Sequence, residues 1–394
     1  LKCLDLEQEA EGNTMAYQFK TDVLIVGGGP AGASTALSLL EYSDLKVTIV
    51  EQSDLDTLRV GEQVSPAIFD LLAYMNIDRT DFETNSFIYG YNHVAAWGSA
   101  NLSSRYSISS TVEDSIQLDR KAFDLLLLER AGQRGASILP RTRCIDFKQT
   151  KEGDWTIELK HKTKGDILVK TNFLVDATGR QNAVSRNLGL KPLKSDELVA
   201  IGTFITFEKG KVPAQEVLLE TVEEGWWYCA TLPNDKIGLT LFTDVGIAKE
   251  KQLQKTHQFN QLLLKTRYIK NKIKQGVSYQ SPWVRNAFSK LIDITPIKNY
   301  IAVGDAIASF DPISSMGIGF ALSSACHASK TIIDFENNRD DTYRLDYQNN
   351  INTIYKDYQQ TKNQFYTTEQ RWKESEFWQQ RLMSNTIKSK IKSY

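Results

Sequence analysis

The sequence predicts an α/β protein: a core sheet assembled from separated stretches of chain, an inserted antiparallel β-sheet, and a C-terminal helical region. Three observations predict it. Apolar strands end in glycine at two distant places, Asp22-Val-Leu-Ile-Val-Gly-Gly-Gly-Pro-Ala-Gly-Ala33 and Ile301-Ala-Val-Gly-Asp-Ala306. Between them, residues 199–245 are dominated by strand formers. Beyond about Gly319 the pattern is helical.

Residues 1–14 are acidic and lack an apolar period, and with Met15 as a natural start they read as a leader or expression remnant. From Thr21 the pattern is strand (22–26), glycine turn, helix (31–40), strand (46–50) and Glu51, one complete βαβ unit. In such a turn Gly27, Gly29 and Gly32 let backbone amides approach a pyrophosphate at the helix N-terminus, which Pro30 and Ala31 open. A carboxylate about 20 residues on hydrogen-bonds ribose hydroxyls. Glu51 fits that role, and its neighbour Gln52 is assigned to the same site.

Gly61-Glu-Gln-Val-Ser-Pro66 follows, then a helical stretch through Tyr74 and a β-rich segment over 87–109. Gln117-Leu-Asp-Arg120 leads into a helix whose Phe123, Leu126, Leu127 and Ala131 are spaced to pack on a sheet. Residues 155–159 and 167–171 read as a hairpin, and 173–177 as a third buried strand ending in Asp176-Ala-Thr-Gly179. Four strands are expected over 200–207, 215–221, 225–232 and 237–242, with a Pro-Asn-Asp turn at 233–235. Residues 249–274 form a charged helical region, and 300–303 return to the core sheet.

Composition excludes several classes. Forty-seven basic residues face forty-eight acidic ones, so no net field points to nucleic acid or an anionic membrane. Apolar runs fall far short of the roughly 20 residues a membrane span needs, and no charged start precedes an apolar signal region. A cytoplasmic protein is expected. Cys3, Cys144, Cys229 and Cys326 lie far apart, and the four histidines are scattered, so no metal site or disulfide framework is expected.

Three glycine-bearing strand ends, in order, predict which dinucleotide binds. Ala177 and Gly179 let the backbone pass close to a cofactor. Gly304-Asp305 sets a carboxylate past a strand end, where it can hold a ribityl or pyrophosphate group. After Pro312, a helix opening near Gly317 and Ile318 aims free amides at a flavin edge, where reduced flavin carries negative charge. The cofactor expected is FAD, in a discontinuous Rossmann-like domain over 15–85, 107–195 and 285–335. Residues 86–106 and 196–284 are expected to form the substrate domain, and 336–394 the C-terminal helical region.

These segments resemble the FAD enzymes typified by aromatic hydroxylases, flavin-dependent halogenases and geranylgeranyl reductases. Val60-Gly-Glu-Gln-Val-Ser-Pro66 is similar to the Gly-Glu loop that halogenases set beside the flavin, and Gly225-Trp-Trp-Tyr-Cys-Ala-Thr-Leu-Pro233 to their Gly-Trp-Trp-Tyr segment. Halogenases also carry a lysine eight residues before a tryptophan. Counting back from Trp97 gives Tyr89, and no lysine occurs between Lys46 and Lys121. The chain most resembles the halogenase-like flavoprotein maturases of quinone-cofactor enzymes, which modify a tryptophan in a partner to build cysteine tryptophylquinone. Phe365-Tyr366, Arg371-Trp372 and Phe377-Trp378 match their aromatic C-terminal helix.

The resemblance implies a monooxygenase in which reduced FAD and dioxygen supply the oxidant at C4a for a peptidyl tryptophan. The partner expected is an immature quinone-cofactor oxidase, and the electron donor NAD(P)H or a separate reductase. Glu62 is the candidate polar contact or proton relay, Trp226 and Tyr228 the cavity walls, Tyr89 the position replacing the halogenase lysine, and Arg120 a cofactor neighbour. Strand alternation turns one of Trp226 and Trp227 toward the cavity and the other away. Two other readings fit the same residues: a hydroxylase or halogenase relative acting on a free aromatic, and a non-redox flavoprotein chaperone. The chaperone would use its aromatic C-terminal helix and lysines 388, 390 and 392, which also read as a solvated end.

Overall fold

Val23, Leu24 and Ile25 are fully buried, as befits a parallel strand covered by helices on both faces. Their strand, Tyr17–Val26, runs parallel between Val47–Val50 and Gly165–Asp176 in the computed structural model. The structure describes residues 17–56, 58–90, 93–104, 115–278, 280–338, 340 and 342–382. The expected leader over 1–14 and the lysines at 388, 390 and 392 lie outside the described residues.

Among the described residues this first sheet has seven strands. Ser137–Leu139 extends one side, while Trp155–His161 and Thr142–Gln149 add antiparallel strands on the other. The strand expected over 167–171 and that expected over 173–177 are one continuous strand, Gly165–Asp176. Its first half pairs with Trp155–His161 and its last residues with Tyr300–Ala302, so two successive neighbours share one long strand. Helices Pro30–Tyr42 and Gly317–Asn338 pack together through small residues, with Ser329 Oγ donating to Thr35 O at 3.1 Å.

The second sheet runs in the order Trp283–Asn286, Leu198–Thr206, Lys236–Asp244, Gly225–Leu232, Val217–Val222, His93–Ala96, Ser103–Ser104. One face is closed by helix Thr256–Leu264, where Phe259 meets Trp227 with ring centroids 4.9 Å apart. The other face looks toward the first sheet. This sheet is not wholly antiparallel, because His93–Ala96 pairs parallel with Val217–Val222. The expected boundaries also differ from sheet membership. Phe87–Gly90 joins Ser115–Leu118 and Gln63–Val64 in a small sheet of its own. A boundary at 284/285 cuts the strand Trp283–Asn286, and one at 335/336 cuts helix Gly317–Asn338.

The aromatic C-terminal segment is two pieces rather than one helix. Helix Thr342–Tyr366 ends, the chain turns, and a short helix occupies 376–382. Glu369 fixes the bend: its carboxylate accepts from Gly98 N and Thr221 Oγ1, each at 2.8 Å. Trp378 Nε1 donates to Val222 O at 2.9 Å, and Arg381 forks onto both Asp244 oxygens at 2.8 Å. Buried polar groups this well paired fix one geometry rather than several. Among the described residues no helix is long and apolar enough to cross a membrane, and no cluster of His, Cys, Asp and Glu could hold a metal.

Candidate active site

An open cleft, with about 1300 Å³ of free space that includes solvent at its mouth, lies between the two sheets. One wall is built by the glycine segments. Gly27 has φ +115°, and a Cβ there would stand 2.3 Å from Ala177 O; a Cβ on Gly32 would stand 1.9 Å from Gly27 O. The two strand ends and the helix start therefore touch backbone to backbone. Helix Pro30–Tyr42 begins with proline and has no side-chain cap, so its first free amides face the cavity beside Gly29, Pro30 and Ala31. Gly304, at φ +57°, brings the strand end after Tyr300–Ala302 against Ala31, where a Cβ would come within 2.9 Å. Ala177, Gly179, Asp305, Pro312, Gly317 and Ile318 line the same wall.

Glu51 reaches the turn but not the cavity. Its Oε2 accepts Gly28 N and its Oε1 accepts Ser53 N, both at 2.8 Å, leaving further lone pairs for a hydroxyl. Gln52 is exposed and does not line the cavity. Gly27, Gly32 and Gly304 act from behind as the close contacts that shape it.

Three features fit FAD. Asp305 pairs through Oδ2 with Arg180 Nε at 3.2 Å, while its buried Oδ1 has no hydrogen-bond partner and offers an acceptor. Gly29, Gly317 and Gly319 are open, with no atom within 4 Å of where a Cβ would sit. The N-termini of helix Pro30–Tyr42, which has no side-chain cap, and of helix Gly317–Asn338 both open on this cavity, which suits a pyrophosphate at the first and an anionic flavin ring at the second. Asp176 is the pin beneath them, accepting from Thr178 N and Ser185 N at 2.9 Å.

The opposite wall is a patch of the second sheet, and strand register orders it. Trp226, Phe242, Ala200 and Arg285 stand side by side across four strands, and Tyr228, Thr240, Gly202 and Trp283 form the next row. Every one of these except Gly202 lines the cavity, and Gly202 is bare because the Trp283 ring lies where its Cβ would be. Trp226 faces the cavity while Trp227 packs on the far side, as alternation requires.

Arg120 ties the Gly-Glu loop to the first wall. Its guanidinium donates to Val60 O and, at 2.9 Å, to Gly61 O, and pairs with Asp124 at 3.0 Å. Glu62 is thereby held in the cavity between the walls, its Oε2 3.9 Å from where a Cβ on Gly238 would lie. Burial pushes the Glu62 carboxyl above its ordinary range, and the Arg120 charge offsets part of that rise. Burial likewise holds the Tyr228 hydroxyl well above its usual range, with the Glu62 charge adding to the effect. Tyr228 donates to Gln117 Oε1 at 3.1 Å.

Tyr89 stands outside the cavity. Its ring packs against Phe87 and under the Arg79 guanidinium, 5.1 Å from the ring centroid. The counting that led to it treats 89–97 as one strand. Phe87–Gly90 and His93–Ala96 belong to different sheets, so the spacing does not carry position. Sequence reasoning also missed Trp283, Arg285, Arg180 and Asp311, which line the cavity, and Tyr366 behind it. A tryptophan directly after Pro282 was the one local signal available for Trp283.

The FAD binding domain family model matches residues 20–358. The FAD-dependent oxidoreductase LodB of Marinomonas mediterranea is 38% identical over 91% of this chain and 96% of its own length. A 1H-pyrrole-2-carbonyl-[peptidyl-carrier protein] chlorinase of Pseudomonas fluorescens is 25% identical over 81% of this chain and 77% of that protein. Among solved structures, the flavin-dependent halogenase CmlS superposes with a TM-score of 0.79 at 22% identity, covering 92% of this chain and 68% of the other. The peptidyl tryptophan dihydroxylase QhpG, described as essential for tryptophylquinone cofactor biogenesis, gives 0.66 at 22% identity, covering 92% and 79%. The glycine wall, the paired helix N-termini and these matches agree: the chain belongs to the FAD binding domain family and is an FAD-dependent oxidoreductase.

Proposed function

We propose that this flavoprotein is a monooxygenase that hydroxylates an aromatic ring, and that the ring is a tryptophan side chain of a partner polypeptide on its way to a tryptophylquinone cofactor. The observation that carries the reading is one cavity with a flavin cradle on one wall, the aromatic rows of Trp226, Tyr228, Phe242 and Trp283 on the other, and no lysine among the described residues that line it. An amine to capture a hypohalous acid is what a halogenation route would need. The fold shared with QhpG, a peptidyl tryptophan dihydroxylase, favours a peptidyl substrate over a free one.

FAD, held by Gly29, Ala31, Asp305 and the helix start at Gly317, would when reduced by NAD(P)H or by a separate reductase supply one electrophilic oxygen atom of dioxygen, the other leaving as water. The chain's own residues do the rest. Trp226, Phe242 and Trp283 stack against the indole and exclude water, which strengthens every polar contact inside. Arg120 fixes the loop so that the Glu62 carboxyl stays in the cavity. With its affinity for protons raised by burial, Glu62 takes the proton released when the ring C–H is replaced by C–OH. Tyr228 stays protonated and holds Gln117, keeping that side of the wall rigid.

The test uses the reduced holoprotein with dioxygen, chloride, and either a tryptophan-containing peptide or N-acetyltryptophanamide. Gain of one or two oxygen atoms on the peptide indole supports the reading. Chlorination of either compound, or oxygen consumption with neither compound altered, overturns it.

A further inference from the structure

The second sheet ends beside the cavity on an unpaired strand. Trp283–Asn286 pairs with Leu198–Thr206 on one side, and among the described residues with no strand on the other. Ala287 N donates to Leu198 O, so the antiparallel ladder bonds fall at 287, 285 and 283. The backbone groups of Val284 and Asn286 then point outward, and neither amide has a partner among the described residues. Val284 is 43% exposed.

The side chains alternate against this edge. Trp283 and Arg285 close the two cavity rows, whereas Val284 does not line the cavity. The Trp283 indole nitrogen is buried with no hydrogen-bond partner. Arg285 makes no ion pair among the described residues, its guanidinium donating only to Val284 O at 2.9 Å. An outward amide row, an orphan indole N–H and an uncompensated cation thus meet at one cavity mouth.

We propose that this edge docks the substrate segment of the partner polypeptide as an added antiparallel strand, resting on the peptidyl-substrate reading above. Its occupant is an extended segment that carries a carboxylate side chain opposite Arg285. Main-chain hydrogen bonds to Val284 and Asn286 give affinity, and alternate side chains give specificity. A residue opposite Trp283 lies on the cavity face, two positions from the carboxylate, because same-face residues repeat every second position. The pattern Asp-x-Trp follows. A free aromatic has no backbone to use this edge.

The probes are a capped heptapeptide, acetyl-Thr-Val-Asp-Val-Trp-Val-Thr-amide, its alternately N-methylated form, and N-acetyltryptophanamide. Binding is measured by calorimetry on the FAD-loaded protein. The heptapeptide is expected to bind at least about tenfold more tightly than N-acetyltryptophanamide, a gain that backbone N-methylation removes. Val284→Pro deletes an outward amide without touching the ladder to Leu198–Thr206, and proline is tolerated on edge strands. It should lose the same gain and keep its flavin and its affinity for N-acetyltryptophanamide; Val284→Ala should keep everything. Equal heptapeptide affinity for the wild type, Val284→Pro and the N-methylated probe overturns edge docking while leaving the peptidyl reading intact. Binding of N-acetyltryptophanamide alone overturns both. A wild type that sediments as a dimer while Val284→Pro is a monomer puts a second copy on the edge, and also overturns the proposal.

Discussion

Trp226 donates its indole Nε1–H to the Tyr366 hydroxyl at 2.9 Å, and Tyr366 donates in turn to Asp311 Oδ2 at 2.8 Å. The chain of donors joins the aromatic wall, the end of the C-terminal helix and the turn before the second flavin-facing helix. Asp311 Oδ1 accepts Ile313 N at 3.0 Å, so the same carboxylate shapes the turn at Pro312. Burial pushes the Asp311 carboxyl above its ordinary range, with the Lys362 charge opposing. A buried carboxylate in that position depends on its donors.

Tyr366→Phe removes the central hydroxyl and strands both the indole N–H and Asp311 Oδ2. Stability should fall by about 1–3 kcal/mol, the cost of an unsatisfied buried group. Urea unfolding of this variant, Trp226→Phe and the double variant measures it. The double variant should lose less than the two single losses combined, because the partners share one bond.

Gly32→Ala sets a Cβ where Gly27 O stands 1.9 Å away, and no flexible side chain can yield. The turn must open, and the flavin cradle with it. The purified variant should be colourless or nearly so, read from the ratio of flavin to protein absorbance. Gly29→Ala meets open space on the protein side and should remain folded, which separates a lost cradle from a lost fold.

Asp305→Asn weakens the pairing with Arg180 and removes the negative charge from the orphan Oδ1 acceptor. A charged hydrogen bond is worth about 1.5–3 kcal/mol, so FAD affinity should fall about 10- to 100-fold. Flavin fluorescence during titration of apoprotein gives the number. Unchanged affinity would mean that the ribityl chain does not use this carboxylate.

Glu62→Gln tests the proton role through pH. The folded Glu62 carboxyl sits above its ordinary value because of burial, so within that window the folded chain holds a proton that the unfolded chain has lost. Its contribution to stability is full below the ordinary carboxylate range and is lost as pH rises through the folded value. Glutamine cannot titrate, so the variant's unfolding midpoint should gain on the wild type as pH climbs. Substrate oxygenation should fall about 100-fold. Loss of turnover with no change in the pH profile of stability would leave Glu62 a contact and not a proton acceptor.

How much was legible in the sequence depends on how local each constraint is. Gly27, Gly29 and Gly32 were readable because their spacing between a strand and a helix is a pattern local to one βαβ unit, although the backbone that Gly27 meets, at Ala177, comes from a distant strand. The opposite orientations of Trp226 and Trp227 followed from alternation alone. Trp283 and Arg285 were not readable, because register with residues 200 and 202 brings them beside Phe242 and Thr240. Tyr89 went astray for the same reason: its distance along the chain from Trp97 crosses from one sheet to another. Tyr366 reads only as part of an aromatic C-terminal helix until the fold brings Trp226 to it across 140 residues.

The central claim is that this cavity passes oxygen from dioxygen to an indole held against Trp226 and Trp283. The most direct measurement gives the reduced holoprotein isotopically labelled dioxygen and a tryptophan-containing peptide, then locates the label by fragment mass spectrometry. Label in the indole ring of the peptide is the predicted result. Label found only in water and hydrogen peroxide, with the peptide unchanged, would contradict it.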